Sequence, residues 1–207
     1  MPGIASVGLD AAPTWLSERL AAGTHADAQR AFELARETFV AGRRIDMGGL
    51  AATLGVDRTS VFRWVGNRDT LLSEVLWSLA VPTLVQAERA AEAERGAARV
   101  AALMTHFASD LIEAGYFREF LRREPARALR LLTTKDSPIQ QRYVATTAWL
   151  VHEHLGERPF GGSIEVADLA YLLVRVSESF TYADLITGEE PSSERTRVAL
   201  EHLLRVG

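Results

Sequence analysis

Between positions 57 and 68 three arginines (Arg58, Arg63 and Arg68) stand against one acid, Asp57, in a chain whose formal net charge is −4. Guanidinium groups gathered in one stretch suit phosphate, and for such binding local charge counts for more than the total. Thr59 and Ser60 add hydroxyls at neighbouring positions, and Phe62 and Trp64 add rings. Arginines on a helix are as readily a solvated face, so the surrounding pattern has to decide. A second constellation interrupts the apolar run at 163–187, where Asp168, Arg175, Glu178 and Asp184 occur. A buried charge costs on the order of several kcal/mol unless it is paired. Arg175 and Glu178 therefore either close a salt bridge, within the helix or between subunits, or anchor a small molecule in a pocket. Such pockets are mostly apolar with a few polar anchors. The candidate ligand-binding residues are Phe107, Phe120, Trp149, His152, Glu178 and Tyr182.

Other chemistries find little support. The five histidines include His152 and His154, which lie two apart on one expected helix and point to different faces, a poor metal pair. No metal or cofactor is expected. There is no nucleophile elbow, phosphate-cradling glycine loop or zinc-type histidine motif, so the chain does not read as an enzyme. With no cysteine it forms no disulfide and offers no thiolate ligand, which fits a reducing cytoplasm. No apolar run of membrane-spanning length and no signal peptide stand out, so no membrane partner is expected.

The elements that position these residues all read as helical. Leu50, Ala51 and Leu54 recur at the spacing of a helix of about two turns, and Gly55 can stop that helix in the left-handed conformation. Asp57 is a good N-cap for the next helix, 58–65, whose Val61 and Val65 lie one turn apart. Helix, glycine turn and short helix form the helix-turn-helix layout, in which the second helix enters the DNA major groove. Before it, an amphipathic helix over 25–42 supplies Phe32, Ala35 and Phe39 as the expected core. Residues 1–12 read as mobile. Residues 13–22 read as a short helix whose Trp15 either packs on the helix that follows or belongs to an arm that holds DNA. Arg43 and Arg44 suit a helix C-terminus and can also reach phosphate.

Further on, one long helix over 68–95 contains Pro82, which should kink or break it. Helices follow over 96–114, from Pro125, and from Ser137-Pro138 to about 155, with an aromatic segment at 116–123. The run 163–187 is apolar on nearly all sides, which implies packing against a second subunit. A last helix starts at Ser192 or Ser193. No strand pattern or internal repeat occurs, and 207 residues suffice for one domain or two small ones.

The stretch DMGGLAATLGVDRTSVFRWVGNRDTLL at 46–72 resembles the DNA-binding segment of TetR-family regulators. Leu50-Ala51, Leu54-Gly55-Val56, Arg58, Val61-Phe62-Arg63, Gly66, Arg68-Asp69 and Leu71-Leu72 follow the family pattern without a gap. Phe62 stands where the family usually has Tyr, Trp64 replaces His, Val65 replaces Phe, and Arg68 replaces a Lys. The segment VADLAYLLVRVSESFTYADLITG resembles the QsdR-like branch. The resemblance implies an all-α fold with a 1–23 extension, a helix-turn-helix domain at 24–68 and a ligand-binding and dimerisation domain at 69–207. It implies a homodimer whose last two long helices, 163–187 and 193–206, form a four-helix bundle. The partners would be double-stranded DNA with a palindromic operator and a small apolar effector, a lactone or acyl compound. Arg58, Thr59, Ser60, Phe62, Arg63 and Trp64 would face DNA, with Thr59 and Arg63 on base edges and Arg68 on phosphate. A helical interaction or small-molecule-binding protein with a decayed DNA tip, or a helical enzyme, remains the alternative.

Overall fold

The structure, a computed structural model, describes residues 4–157 and 159–206. Among the described residues the regular elements are all helical. They are α1 (Ile4–Ala11), α2 (Trp15–Ala22), α3 (Ala26–Val40), α4 (Met47–Leu54), α5 (Arg58–Val65), α6 (Arg68–Ala90), α7 (Gly96–Glu113), α8 (Gly115–Arg123), α9 (Pro125–Thr133), α10 (Pro138–Leu155), α11 (Val166–Thr181), α12 (Ala183–Ile186) and α13 (Ser193–Leu203), with a 3-10 turn at Pro159–Gly162. The chain divides into two compact units. Ala12–Leu79 and Gly115–Gln140 form one, called the head; α1, Ala80–Ala114 and the chain from Gln141 onward form the other, the body.

In the head, α3 buries Ala28, Ala31, Ala35 and Phe39, while Phe32 is only half-buried. The small alanines let α4 and α5 pack closely on α3. α6 starts with Leu71, Leu72, Val75, Leu76 and Trp77 buried. The segment 115–140, expected in the ligand-binding domain, groups instead with the helix-turn-helix. The cause is visible on α8 and α9. Phe39 meets Tyr116 and Phe120 edge-on, with ring centroids 5.8 and 5.5 Å apart. Arg123 donates to the Gly42 carbonyl at 2.6 Å.

Pro82 lies inside α6 without breaking it, and the helix ends at Ala90, short of the expected 95. By length and composition α6 is apolar enough to cross a membrane, contrary to the sequence expectation. Half of that apolar window is nevertheless buried inside the protein, with Leu71, Val75, Leu84 and Ala87 among the buried side chains.

In the body, α7, α11 and α13 pack mutually around Val100, Ala101, Met104, Val151, Leu169, Leu173, Val174, Leu200 and Leu204. The apolar helix expected over 163–187 is shorter. It begins at Val166 after Glu165 and stops at Thr181, because Tyr182 leaves helical geometry at φ −113° and ψ 24°. The N-terminal stretch expected to be mobile contains α1, whose Ile4 is buried and whose Ala11 carbonyl accepts from Gln141 Nε2 at 3.3 Å; residues 1–3 lie outside the described residues.

Candidate nucleic-acid interface and effector site

The helix-turn-helix is built by local chemistry at each boundary. Asp46 caps α4, accepting from the Gly49 amide at 2.6 Å. Gly55 closes α4 at φ 70° and ψ 32°, a conformation that costs other residues energy. Asp57 then caps α5, accepting from the Ser60 amide at 2.8 Å and from the Ser60 hydroxyl at 2.9 Å. Those bonds, the amide foremost, hold the Asp57 carboxyl below its ordinary range. Val61 and Val65 are wholly buried and fix the rotation of α5 about its axis. That rotation leaves Arg58, Thr59, Phe62 and Arg63 exposed along one stripe, with Ser60 and Trp64 half-buried. The Arg58 guanidinium stacks on the Phe62 ring at 5.3 Å. The stripe therefore offers two cations, a hydroxyl and a ring on a rod of eight residues.

Arg68 is not part of that stripe. Both of its terminal nitrogens grip the Glu124 carboxylate, at 2.6 and 2.5 Å, and its Nε donates to the Ile45 carbonyl at 2.5 Å. Its side chain is only 13% exposed. A bidentate guanidinium held in this way has little left for the phosphate contact expected of Arg68. Glu124 also lies 3.2 Å from Arg127 and 3.8 Å from Arg44, and Arg68 in particular holds its carboxyl below the usual range. Next to this cluster Asp69 pairs with Arg127 and Arg130. Burial pushes the Asp69 carboxyl up, but the two arginines outweigh it and hold it low. Arg43 and Arg44 stay exposed.

Of the six ligand-binding candidates, four lie in the body and are at least partly buried. Glu178, Tyr182 and Phe107 are buried, and Trp149 is half-buried. Glu178 pairs with Arg175 at 2.6 Å, the intrahelical bridge that was one of the alternatives open for the two. Burial pushes the Glu178 carboxyl up to about 7 even though Arg175 opposes it. The other two candidates lie apart from these four. Phe120 belongs to the head, where it packs on Phe39, and His152 is exposed on α10.

Sequence reasoning missed Tyr143. Its ring lies 5.3 Å from Phe107, and its hydroxyl is buried beside Ser177 and Glu178 without a hydrogen bond of good geometry. Burial raises that phenol's pKa. Thr147, one turn further along α10, is likewise buried with an unpaired hydroxyl. The spacing of four between Tyr143 and Thr147 was a readable signal, because it puts both on one helix face. Among the described residues no group of acidic, histidine or cysteine side chains has the makings of a metal site.

The body also leaves apolar surface uncovered. Val176, Phe180, Val198, Leu203 and Val206 line an open groove on α11 and α13, with Val198 52% exposed. Tyr171 and Leu172 extend the exposed apolar area along α11.

Comparison with known proteins gives this architecture a lineage. Residues 95–205 match the family model described as the tetracyclin repressor-like C-terminal domain. The fold is similar to that of the R. erythropolis transcriptional repressor QsdR from the TetR family, with 26% identity and a TM-score of 0.73 over 88% of this chain and 96% of that one. No curated protein matches the sequence. A helix-turn-helix head joined to a helical body of this kind, and a family match across more than half of its length, mean that the chain belongs to the TetR family of transcriptional regulators.

Proposed function

We propose that the chain acts as a homodimeric repressor that reads an inverted-repeat operator with two copies of α5 and lets go when a small, largely apolar molecule enters the body. The observation that carries this reading is the stripe of Arg58, Thr59, Phe62 and Arg63, exposed on a helix whose opposite face, Val61 and Val65, is sealed in the core. Thr59 and Arg63 share a face one turn apart and are assigned to base edges; Arg58, Ser60, Phe62 and Trp64 flank them. The open apolar groove on α11 and α13 is assigned to the dimer contact, since paired heads need a paired body. Two equivalent recognition helices then lie about 34–36 Å apart, or a multiple of that, and read a palindrome.

Glu178 and Tyr182, with Phe107 and Trp149 as apolar walls, are assigned to the effector, and Tyr143 joins them as a donor. A lactone or acyl compound suits such a site, because it pairs an apolar chain with a carbonyl acceptor. Similarity to a protein described as a transcriptional repressor supports repression rather than activation. Release requires that the effector prefer the conformation with wrongly spaced heads.

The test is selection of duplexes from a randomised pool by the full-length protein, followed by titration with lactones and acyl esters of graded chain length. An inverted repeat with half-sites one or more turns apart, released by one of these compounds, is the expected result. A chain that captures no duplex, or that remains monomeric in light scattering, contradicts the proposal and favours a helical binding protein with a decayed tip.

A further inference from the structure

The recognition helix is too short to hold its own geometry. Eight residues are about two turns, and isolated helices of that length are marginal in water. Asp57 secures the N-terminal end. At the C-terminal end the last carbonyls of any helix lack partners within it. Gly66 there takes φ 75° and ψ −153°, outside the left-handed geometry with which Gly55 closes α4, and its amide returns to the Phe62 carbonyl.

What meets that end is α2, an element outside the stretch that carries the family pattern. Arg19 Nη1 lies 3.3 Å from the Arg63 carbonyl and 3.4 Å from the Trp64 carbonyl. A cation at this position also complements the helix dipole. The same guanidinium stacks on the Trp15 ring at 5.2 Å. Trp15 in turn covers the turn after α5, so closely that a Cβ added at Gly66 would stand 3.0 Å from its ring. α2 is itself firmly seated. Thr14 caps it in a reciprocal bond with Ser17 and donates at 2.6 Å to Glu74, a buried carboxylate on α6. Leu16 is wholly buried, and Gly23 ends the helix in the left-handed conformation.

We infer that α2 is a positioning element of the DNA-reading head: Trp15 and Arg19 brace the C-terminal end of α5 and thereby set operator affinity without touching DNA. The inference rests on the reading of α5 as the recognition helix. Arg19 is the sole basic residue among the first 24, and its guanidinium is turned to the α5 carbonyls, so the extension does not make a basic arm.

Full-length Trp15→Ala and Arg19→Ala separate bracing from contact. Amide hydrogen exchange on the free protein comes first, because it needs no DNA. Faster exchange in α5, with α3 unchanged, is expected in both variants; unchanged exchange in α5 overturns the inference. The second measurement is affinity for a duplex selected by the wild-type chain, taken across a salt series. The expected loss is about two- to fivefold for Arg19→Ala, the worth of a cation at a helix C-terminus, at an unchanged salt slope. A slope flattened by about 0.9 would make Arg19 a phosphate ligand and overturn the inference, as would unchanged affinity. A wild-type chain that captures no duplex sinks the reading of α5 as a DNA reader and with it the operator clause, while the exchange result still judges the brace by itself.

Discussion

The head and the body pair their charges over different distances in the sequence. In the head, carboxylates and guanidiniums far apart in sequence are locked together: Arg68 with Glu124, and Asp69 with Arg127 and Arg130. Arg68 is the most fully claimed of these, at 13% exposed, whereas Arg58 and Arg63 on α5 stay exposed. In the body the ion pairs are local in sequence, as between Arg175 and Glu178 or Arg197 and Glu201, and the Tyr143 and Thr147 hydroxyls lie buried without a hydrogen bond. A region that must present one surface gains from ion pairs that tie distant parts of the chain together. A region that must admit a ligand gains from groups that the ligand can complete.

Four substitutions sharpen or break this contrast. Leu173→Ala, in the middle of the body core, should cost roughly 2–5 kcal/mol in chemical denaturation, the ordinary price of a buried cavity. A much smaller loss would mean that the body is loosely packed. Glu178→Gln comes next. A carboxyl raised from 4.5 to about 7 on folding binds its proton more tightly in the native state, so wild-type stability falls as pH rises between those values. The variant should lose that slope and gain on wild type across the window, by about 3 kcal/mol at most. Equal pH profiles for the two proteins would show that Glu178 is well solvated.

In the head, Glu124→Ala should cost about 2–3 kcal/mol by stranding Arg68, somewhat under the figure for fully buried pairs because the partners are 13% and 14% exposed. The sign with pH is reversed here. The Glu124 carboxyl is lowered on folding, so its contribution is present above the ordinary carboxylate range and is lost as pH falls through the lowered value. Asp57→Ala has the smallest expected effect, a slight loss of stability confined to α5 and shrinking in acid, since this carboxyl too is lowered on folding. Denaturation curves at several pH values check both.

Much of the head was legible because its signals are local. Gly55 and Asp57 act within four residues of themselves, and caps and glycine turns are written in that range. The same holds for Ser192, which caps α13 by accepting from the Arg195 amide at 3.1 Å, and for Pro138, which opens α10. What the sequence hid is pairing across distance. Nothing near Arg68 announces that a carboxylate 56 positions away will claim it. Phe120 reads as a pocket wall from composition alone, and only the meeting with Phe39 assigns it to the head. The exposure of His152 was hidden for a related reason: an apolar-periodic helix does not say which of its polar residues face outward until its neighbours are in place.

The central claim is that α5 reads base edges, and base-resolved binding tests it most directly. On the selected duplex, every single-base variant of one half-site is titrated against wild type, Thr59→Ala and Arg63→Ala. The account predicts that each substitution relaxes discrimination at one position, the same in both half-sites, by about tenfold, within the range for a lost base contact. Weakening spread evenly over all sequences, or no change at all, would contradict it.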